Sequence, residues 1–563
     1  MVVRPVPDAA NALIAAGCPN VLARLYAARG VVDASELDCS LARLPEGSTL
    51  KGIAGAATRL AEAIARGERM LIVADYDADG ATACAVGVRG LTAMGARVDF
   101  LVPNRFEHGY GLTPEIVAIA AQRSPALIIT VDNGIASIEG VAAAQAAGIE
   151  VVITDHHLPG LALPSPAWIV NPNQPGCAFP SKHLAGVGVM FYVLIALRAE
   201  LRARGHFSGH DEPHLGGLLD LVALGTVADV VRLDHANRVL VDNGLRRIRS
   251  GRMQPGVRAL LAAGGRDPRR STTYDLGFVA GPRLNAAGRM ADISTGIACL
   301  LADDDVVATQ LAEELDRLNR ERRDVEATMQ DQALTDIDSI AAGNGFTLCA
   351  FRPEWHQGVV GLVASRLKDR FHRPTVVFAP GMAGELRGSG RTIAGFHLRD
   401  ALDLVAKRAP DTITRFGGHA FAAGLTLPQA QLPRFVAEFE RVGREWLTPE
   451  LLRRTLESDG ELSATELTLE LTESLAAGVW GQGFASPVFH GTFAVLDQKQ
   501  VGGKHTRATL IHQQRRVDAI AFNEPGPFPR RIQARYRPET ARFQGLESVQ
   551  LVIESWETSE VGM

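Results

Sequence analysis

Cysteine is scarce and scattered in this chain of 563 residues: Cys18, Cys39, Cys84, Cys177, Cys299 and Cys349, with no CxxC pair among them. That pattern excludes a disulfide framework and a structural zinc site, and it fits a reducing compartment. Long apolar runs are missing too, so no segment has the length of a membrane-spanning helix. The first 30 residues lack an uninterrupted apolar core behind a basic start, since Pro5, Pro7, Asp8 and Asn11 interrupt it, and no secretory leader is expected. The expectation is a soluble, cytoplasmic protein without a membrane partner. A surplus of positive charge is also absent: 58 Lys and Arg face 63 Asp and Glu, for a net charge of −5. Any nucleic-acid partner must therefore be held by local basic patches. There is no internal repeat and no low-complexity tract. What remains is an ordinary soluble composition, 46% hydrophobic and 21% charged, with length for about three or four domains.

Against that background three polar clusters stand out: Asp75-Tyr76-Asp77-Ala78-Asp79-Gly80, Asp132-Asn133-Gly134 and Asp155-His156-His157. Each follows a short apolar run (70–74, 126–131 and 149–154) and precedes a helical pattern, as expected for strands of a buried parallel sheet. Ligands bind beyond the carboxyl ends of such strands. Three neighbouring strands would bring at least four carboxylates and two imidazoles to one rim. So many like charges repel unless cations sit among them.

From about 67 to 173 strands and helices alternate, which implies parallel βαβ units; further strands are expected at 97–102 and 167–170. Gly95, Gly134 and Gly148 fall at turns. Residues 1–45 read as a helical preface, with Asp33 or Ser35 as a helix start. A helical region follows from about 183 to 300. Residues 303–340, without Pro or Gly and opening on three aspartates, predict one long solvent-laced helix. A second α/β unit is expected from about 345, with strands at 346–351 and 375–379 and a helix at 359–370. Beyond it, short runs at 488–495, 506–512, 517–522, 532–536 and 548–553 suggest a small β-barrel of the oligonucleotide-binding kind.

The Asp75–Gly80 cluster superficially matches an EF-hand loop, but Val86 stands where that loop needs a bidentate Glu, and a strand precedes it. Taken singly, each Asp is equally a helix cap or turn former. Taken together, carboxylates with imidazole suit manganese, and magnesium or zinc less exclusively. Asp229, at the end of the apolar run 224–229, is a further carboxylate that alone reads as a turn residue.

These motifs resemble those of the DHH phosphoesterase superfamily, on Asp75–Gly80, 130–134, Asp155–His157 and 225–229. Trp355-His356-Gln357-Gly358-Val359-Val360-Gly361 and Arg415-Phe416-Gly417-Gly418-His419-Ala420 resemble its accessory DHHA1 domain. With the barrel-like C-terminus, the resemblance narrows to the RecJ family of single-strand-specific 5′→3′ DNA exonucleases. It implies an α/β multidomain fold: a parallel-sheet DHH catalytic domain (46–300) behind the preface (1–45), a connecting helix (301–342), a smaller α/β DHHA1 domain (343–450) and an OB-like barrel (455–563). It implies Asp77, Asp79, Asp132, His156 and Asp229 as ligands of two divalent cations, Mn2+ favoured and Mg2+ possible, with Asp132 bridging. Asp75 is a ligand or an orienter of ligands, and His157 contacts the scissile phosphate or aids proton transfer. Two cations clamping the attacking and departing oxygens need no Ser or Cys nucleophile.

By the same resemblance Arg105, Arg283, Arg289, Ser389, Gly390 and Arg391 gather around a terminal 5′ phosphate and the first nucleotides, a task suited to the guanidinium fork. Gly417 and Gly418 permit close approach of a phosphate to the backbone, with His419 as donor. A narrow passage between the two α/β domains would exclude duplex. In the barrel, Lys499, Lys504, His505, Arg507, Arg515 and Arg516 form a basic strip, with few aromatics for stacking. The implied partners are single-stranded DNA, a single-strand-binding protein and a helicase, and the implied state is a monomer. The competing readings are a DHH/DHHA1 nanoRNase or small-phosphoester phosphatase, a pyrophosphatase of shorter chain, and a non-catalytic strand-binding scaffold. The barrel argues against the first, the length against the second and the filled ligand positions against the third.

Overall fold

The computed structural model describes residues 1–103, 111–209, 211–340, 345–382 and 384–559, the side chains of 335–340 and 543 excepted. By internal contacts it divides into two units. The first is Met1–Gly288, Asp292–Asp316 and Leu456–Met563; the second is Arg289–Ala291 and Arg317–Thr455.

The first unit is built on a five-stranded sheet in the order Arg97–Leu101, Arg69–Ala74, Leu127–Val131, Glu150–Thr154, Trp168–Val170, every pair parallel. The inner strand Leu127–Val131 is buried at every residue, which is why it reads as a continuous run of Leu and β-branched residues rather than an alternating one. On one face Val73, Ile128, Val151 and Ile153 pack with Ile116 and Val141 of the helices Pro114–Ala121 and Ile138–Ala146. The three strands bearing the polar clusters are neighbours, as the sequence predicts. A helical region follows, including Gly186–Ala203, Leu219–Ala228, His235–Arg249 and a run from Thr273 to Met290 with a π-helical stretch at Leu276–Ala280. The helix Asp305–Ile340 spans 36 residues, and the boundary between the units falls inside it.

The C-terminal strands Phe489–Val501, His505–His512, Arg515–Ala521, Arg531–Phe543 and Leu546–Thr558 close a five-stranded barrel. They are longer than the apolar runs suggested. Their extensions, such as 497–501 and 537–543, are polar, so backbone pairing holds them where no hydrophobic pattern marks them. The N-terminal segment is tied to this barrel's base, a link the sequence does not announce. Val2–Val3 pairs with Glu457–Ser458. Arg29 meets Asp459 at 2.9 Å with both side chains almost wholly buried, and Tyr26 stacks on Trp480. The preface is helical over Ala9–Ala15 and Asn20–Ala27, and Asp33 caps a 3-10 turn through a capping box.

The second unit holds a mixed sheet in the order Arg415–Gly418, Ala422–Pro428, Glu385–Arg391, Thr375–Pro380, Leu348–Phe351. Phe378, Phe435 and Phe439 anchor one side of it, and Val363, Leu367 and Val377 the other. The first three strands escape the sequence reading because glycine interrupts each of them, and glycine carries no strand signal. The packing explains at least one of these: a Cβ on Gly388 would lie 2.5 Å from the Phe378 ring. Among the described residues no helix is long and apolar enough to cross a membrane.

Candidate metal centre and phosphate-binding residues

Asp75, Asp132 and Asp155 each stand one residue past the end of their strand, and the sheet ladder still holds them. Their backbone N–H groups donate to the carbonyls of Val131, Thr154 and Val170 at 3.2, 2.9 and 3.1 Å. Pairing alone thus sets three carboxylates side by side on the carboxyl rim. The loops then turn sharply. A Cβ on Gly80 would lie 2.5 Å from the Asp75 carbonyl, and one on Gly134 would lie 2.5 Å from the Thr130 hydroxyl. Asp132 takes a left-handed backbone, φ 62, a conformation that Asp and Asn tolerate best among non-glycine residues.

The next carboxylates are fixed by helices. Asp77 caps Ala78–Ala93, accepting from the N–H groups of Asp79 and Gly80 at 2.9 and 3.0 Å. Asp79, buried, accepts from Gly186 and Val187 at the start of Gly186–Ala203, at 2.6 and 2.9 Å. Asp229 ends Leu219–Ala228. His156 Nε2 lies 3.1 Å from Asp132 Oδ1, 3.5 Å from Asp229 Oδ2 and 3.9 Å from Asp79 Oδ2. His157 Nδ1 lies 4.0 Å from Asp132 Oδ1 and 2.8 Å from Asp155 Oδ1. Potential ligand atoms therefore fall into three groups: Asp79, His156 and Asp229; Asp75, Asp77 and Asp132; and Asp132, His156 and His157. All the ligand positions predicted in this unit converge, with Asp132 and His156 each shared by two groups.

The electrostatics show what the cluster needs. Burial, and then mutual repulsion, hold Asp75, Asp132 and Asp229 well above the ordinary carboxylate range and push Asp79 up to about 7. Burial, aided by the charge on His157, lowers His156 to about 4, so at neutral pH it is an uncharged imidazole with a lone pair to offer. His156 Nε2 and Asp229 Oδ2 are buried and make no hydrogen bond among the described residues. Carboxylates that repel one another beside buried acceptor atoms of this kind fit divalent cations.

Burial works against a charged His157, but the Asp155 bond and charge override it and raise that ring to about 9. Asp155 itself is held below its usual range: burial opposes its charge, and bonds from His157 and from the Ile135 N–H at 2.9 Å outweigh it. Two contributors lie outside the sequence-derived list of site residues. One is Asp155 in its orienting role. The other is Asn285, whose Oδ1 accepts from the Ala78 N–H at 2.8 Å and pins the turn between Asp77 and Asp79. Asn285 sits within the 281–289 run already singled out for its arginines; that motif was the available signal.

The predicted strand-recognition residues divide. In the second unit Arg391 Nη1 donates to Ser389 Oγ at 3.0 Å and to the Gly390 carbonyl at 2.8 Å. No carboxylate pairs with Arg391 among the described residues, and burial lowers its pKa. A Cβ on Gly361 would lie 3.0 Å from both Arg391 Nη2 and Ser389 Oγ. Arg289 donates to the Gly358 carbonyl at 3.2 Å, in the same 358–361 stretch. Gly417 and Gly418 end the strand Arg415–Gly418 at a tight hairpin, where His419 N–H donates to the Ala422 carbonyl at 2.8 Å. Gly418, at φ 139, must be glycine because a Cβ there would lie 2.4 Å from that carbonyl. Arg283, in the first unit, is buried and engaged by Asp316 at 2.7 Å and by the Val279 carbonyl. Arg105 lies outside the described residues.

Three family descriptions match the chain: "DHH family, N-terminal domain" over residues 69–226, "DHHA1 domain" over 344–445 and "RecJ OB domain" over 458–555. The single-stranded-DNA-specific exonuclease RecJ of Dickeya dadantii is 50% identical, over 95% of this chain and 96% of that protein. The crystal structure of RecJ from Thermus thermophilus in complex with Mn2+ covers 100% of this chain and 79% of its own, at 30% identity and a TM-score of 0.83. The Mg2+ complex of the same protein gives 28% identity and a TM-score of 0.77, covering 100% of this chain and 78% of its own.

Proposed function

The chain belongs to the RecJ family of DHH phosphoesterases, and on that premise we propose that it is a metal-dependent exonuclease removing 5′-mononucleotides from single-stranded DNA in the 5′→3′ direction. The observation that carries this reading is the convergence of Asp75, Asp77, Asp79, Asp132, His156 and Asp229, with Asp132 common to two ligand groups. Asp79, His156 and Asp229 would hold one cation and Asp77 and Asp132 the other, with Asp132, which belongs to two of the ligand groups, available to both. Asp75 orients the second group, or ligates within it. When bound, the pair of divalent cations, Mn2+ preferred and Mg2+ possible, offsets the crowded negative charge, draws electron density from a phosphodiester and lowers the pKa of water.

The chain's own groups supply the rest. The backbone N–H groups of Gly186 and Val187 hold both oxygens of Asp79, so that ligand is oriented before any substrate arrives. His157, kept protonated by Asp155, donates to a non-bridging phosphate oxygen and steadies charge that grows there. In the second unit Arg391, which pairs with no carboxylate among the described residues, binds the terminal 5′ phosphate with Ser389 and Arg289, which sets the polarity of digestion. Arg283, occupied by Asp316, braces its helix. The domain division follows the sequence reading, with catalysis in 46–300, terminal-phosphate recognition in 343–450 and strand binding in 455–563. A role in DNA repair and recombination, with a single-strand-binding protein and a helicase as partners of a cytoplasmic monomer, completes the proposal.

The test is digestion of end-labelled single strands with and without manganese. Label at the 5′ end should leave at once as mononucleotide, only with metal, and blunt duplex should survive. Early loss of 3′ label, or internal cuts, would refute the proposed polarity and mode of attack.

A further inference from the structure

The chain leaves the metal rim through a backbone conformation that suits its residue badly. Of the non-glycine residues at positive φ among the described residues, Val230 alone is β-branched, at φ 63, and it follows Asp229 directly. The left-handed region crowds a Cβ against the backbone, and branching makes the crowding worse. Glycine is the usual occupant of this position just past a helix, here Leu219–Ala228 with Asp229 as its cap. Burial does not account for the valine either, because Val230 is 62% exposed. Strain of this kind persists where the surrounding structure uses it.

We infer that Val230 is a positioning residue that aims the Asp229 carboxylate at its cation through the stiffness of its backbone. The inference rests on the metal centre proposed above and deepens it. Other carboxylates of the rim are oriented by N–H donors: Asp79 by Gly186 and Val187, Asp77 by Asp79 and Gly80, and Asp75 by Tyr76 at 2.7 Å. Asp229 Oδ2, 3.5 Å from His156 Nε2, is buried with no hydrogen bond among the described residues. The chain itself is then left to aim it, the role that hydrogen bonds play for the others.

That chain is anchored on both sides. Upstream, the Asp229 N–H donates to the Gly225 carbonyl at 2.9 Å. Gly225 packs so closely that a Cβ there would lie 2.1 Å from Thr82 Oγ1 and 3.0 Å from Asp79 Oδ1. Downstream, the Leu233 N–H donates to the Gln482 carbonyl at 2.8 Å, and Asp234 caps the helix His235–Arg249. Val230 is the joint between these anchors, its N–H on the Val227 carbonyl at 3.3 Å. A glycine joint roams over both halves of φ space, whereas a β-branched residue at φ 63 has one narrow well. That narrow well keeps Asp229 from swinging out of the ligand group it shares with Asp79 and His156.

The test is calorimetric titration of Mn2+ into the full chain, with the thermal midpoint measured in chelator and kcat and KM measured on a single strand. Val230→Gly should weaken manganese binding about tenfold. Its midpoint should hold or rise, because relief of the left-handed strain offsets the freedom glycine adds to the unfolded chain. Val230→Ile, equally branched, should bind manganese as the wild type does. A glycine variant with wild-type manganese affinity would overturn the inference; a raised KM in that variant would make Val230 a substrate contact instead. A loss shared by Val230→Ile, or a lowered midpoint in Val230→Gly, would also overturn it, since size or support of the fold would then be the cause. A wild-type chain that binds no manganese would remove the metal centre and this inference together, whereas equal binding by wild type and glycine variant removes the inference alone.

Discussion

In the first unit, Asp75, Asp79, Asp132 and Asp155 are each at most 6% exposed, and Asp79 and Asp132 flank the neutral imidazole of His156. In the second, Arg391 is half-buried beside a serine, with no carboxylate paired to it among the described residues. The two regions have opposite charge character: the first gathers carboxylates that repel one another, the second a guanidinium beside a hydroxyl. On the proposed reading, chemistry and end recognition are carried by separate electrostatic sites, so each should be removable without the other.

The largest effect should come from Asp132→Asn. Asparagine keeps the shape and suits φ 62, yet cannot bridge cations, and strand cleavage should fall by at least about 10³-fold. The sign for stability is opposite. Asp132 is raised above its ordinary value by burial and neighbouring carboxylates, so ionising it costs the metal-free fold stability as pH rises above the usual carboxylate range. Removing that charge should raise the metal-free thermal midpoint at neutral pH by about 2–4 °C per kcal/mol recovered. Calorimetry with chelator checks this, and a lowered midpoint would break the first half of the comparison.

Arg391→Ala should sharpen the second half. Losing a charge-assisted phosphate contact should cost about 100-fold on strands with a 5′ phosphate and much less on 5′-hydroxyl strands, read as kcat/KM on matched substrates. Equal loss on both would mean that Arg391 supports the fold rather than recognises the end.

These expectations draw on a site that was partly legible in the chain. The strand ends were readable because apolar runs stop abruptly at Asp75, Asp132 and Asp155, and the parallel sheet then aligns whatever follows. The long helix was readable from the uninterrupted 303–340 stretch. What the residues could not show is tertiary choice. Arg283 and Arg391 are the same residue type in equally suggestive motifs, and only the fold puts Asp316 against one and, among the described residues, no carboxylate against the other. Asn285 reaches Ala78 across 207 positions of chain. The strand Glu385–Arg391 was hidden by its glycines, of which Gly388 is required by the Phe378 ring and Gly390 by the Leu398 side chain.

A smaller effect is expected at the hinge of the comparison, where Asp155 serves His157 rather than a cation. Asp155→Asn should lower cleavage about 10- to 100-fold. In the metal-free chain, the His157 ring should titrate near 9, against an ordinary 6.5. Its stabilising contribution is therefore full below 6.5 and lost as pH rises through about 9. NMR of the imidazole should show that midpoint fall back in Asp155→Asn, and an unmoved titration would assign the shift to other neighbours.

The central claim is that one rim holds two cations through a shared carboxylate, and calorimetric titration of Mn2+ into the full chain tests it most directly. The account predicts two ions per chain for the wild type and at most one for Asp132→Asn. A wild-type chain that binds no manganese, or a variant that still binds two ions with wild-type affinity, would contradict it.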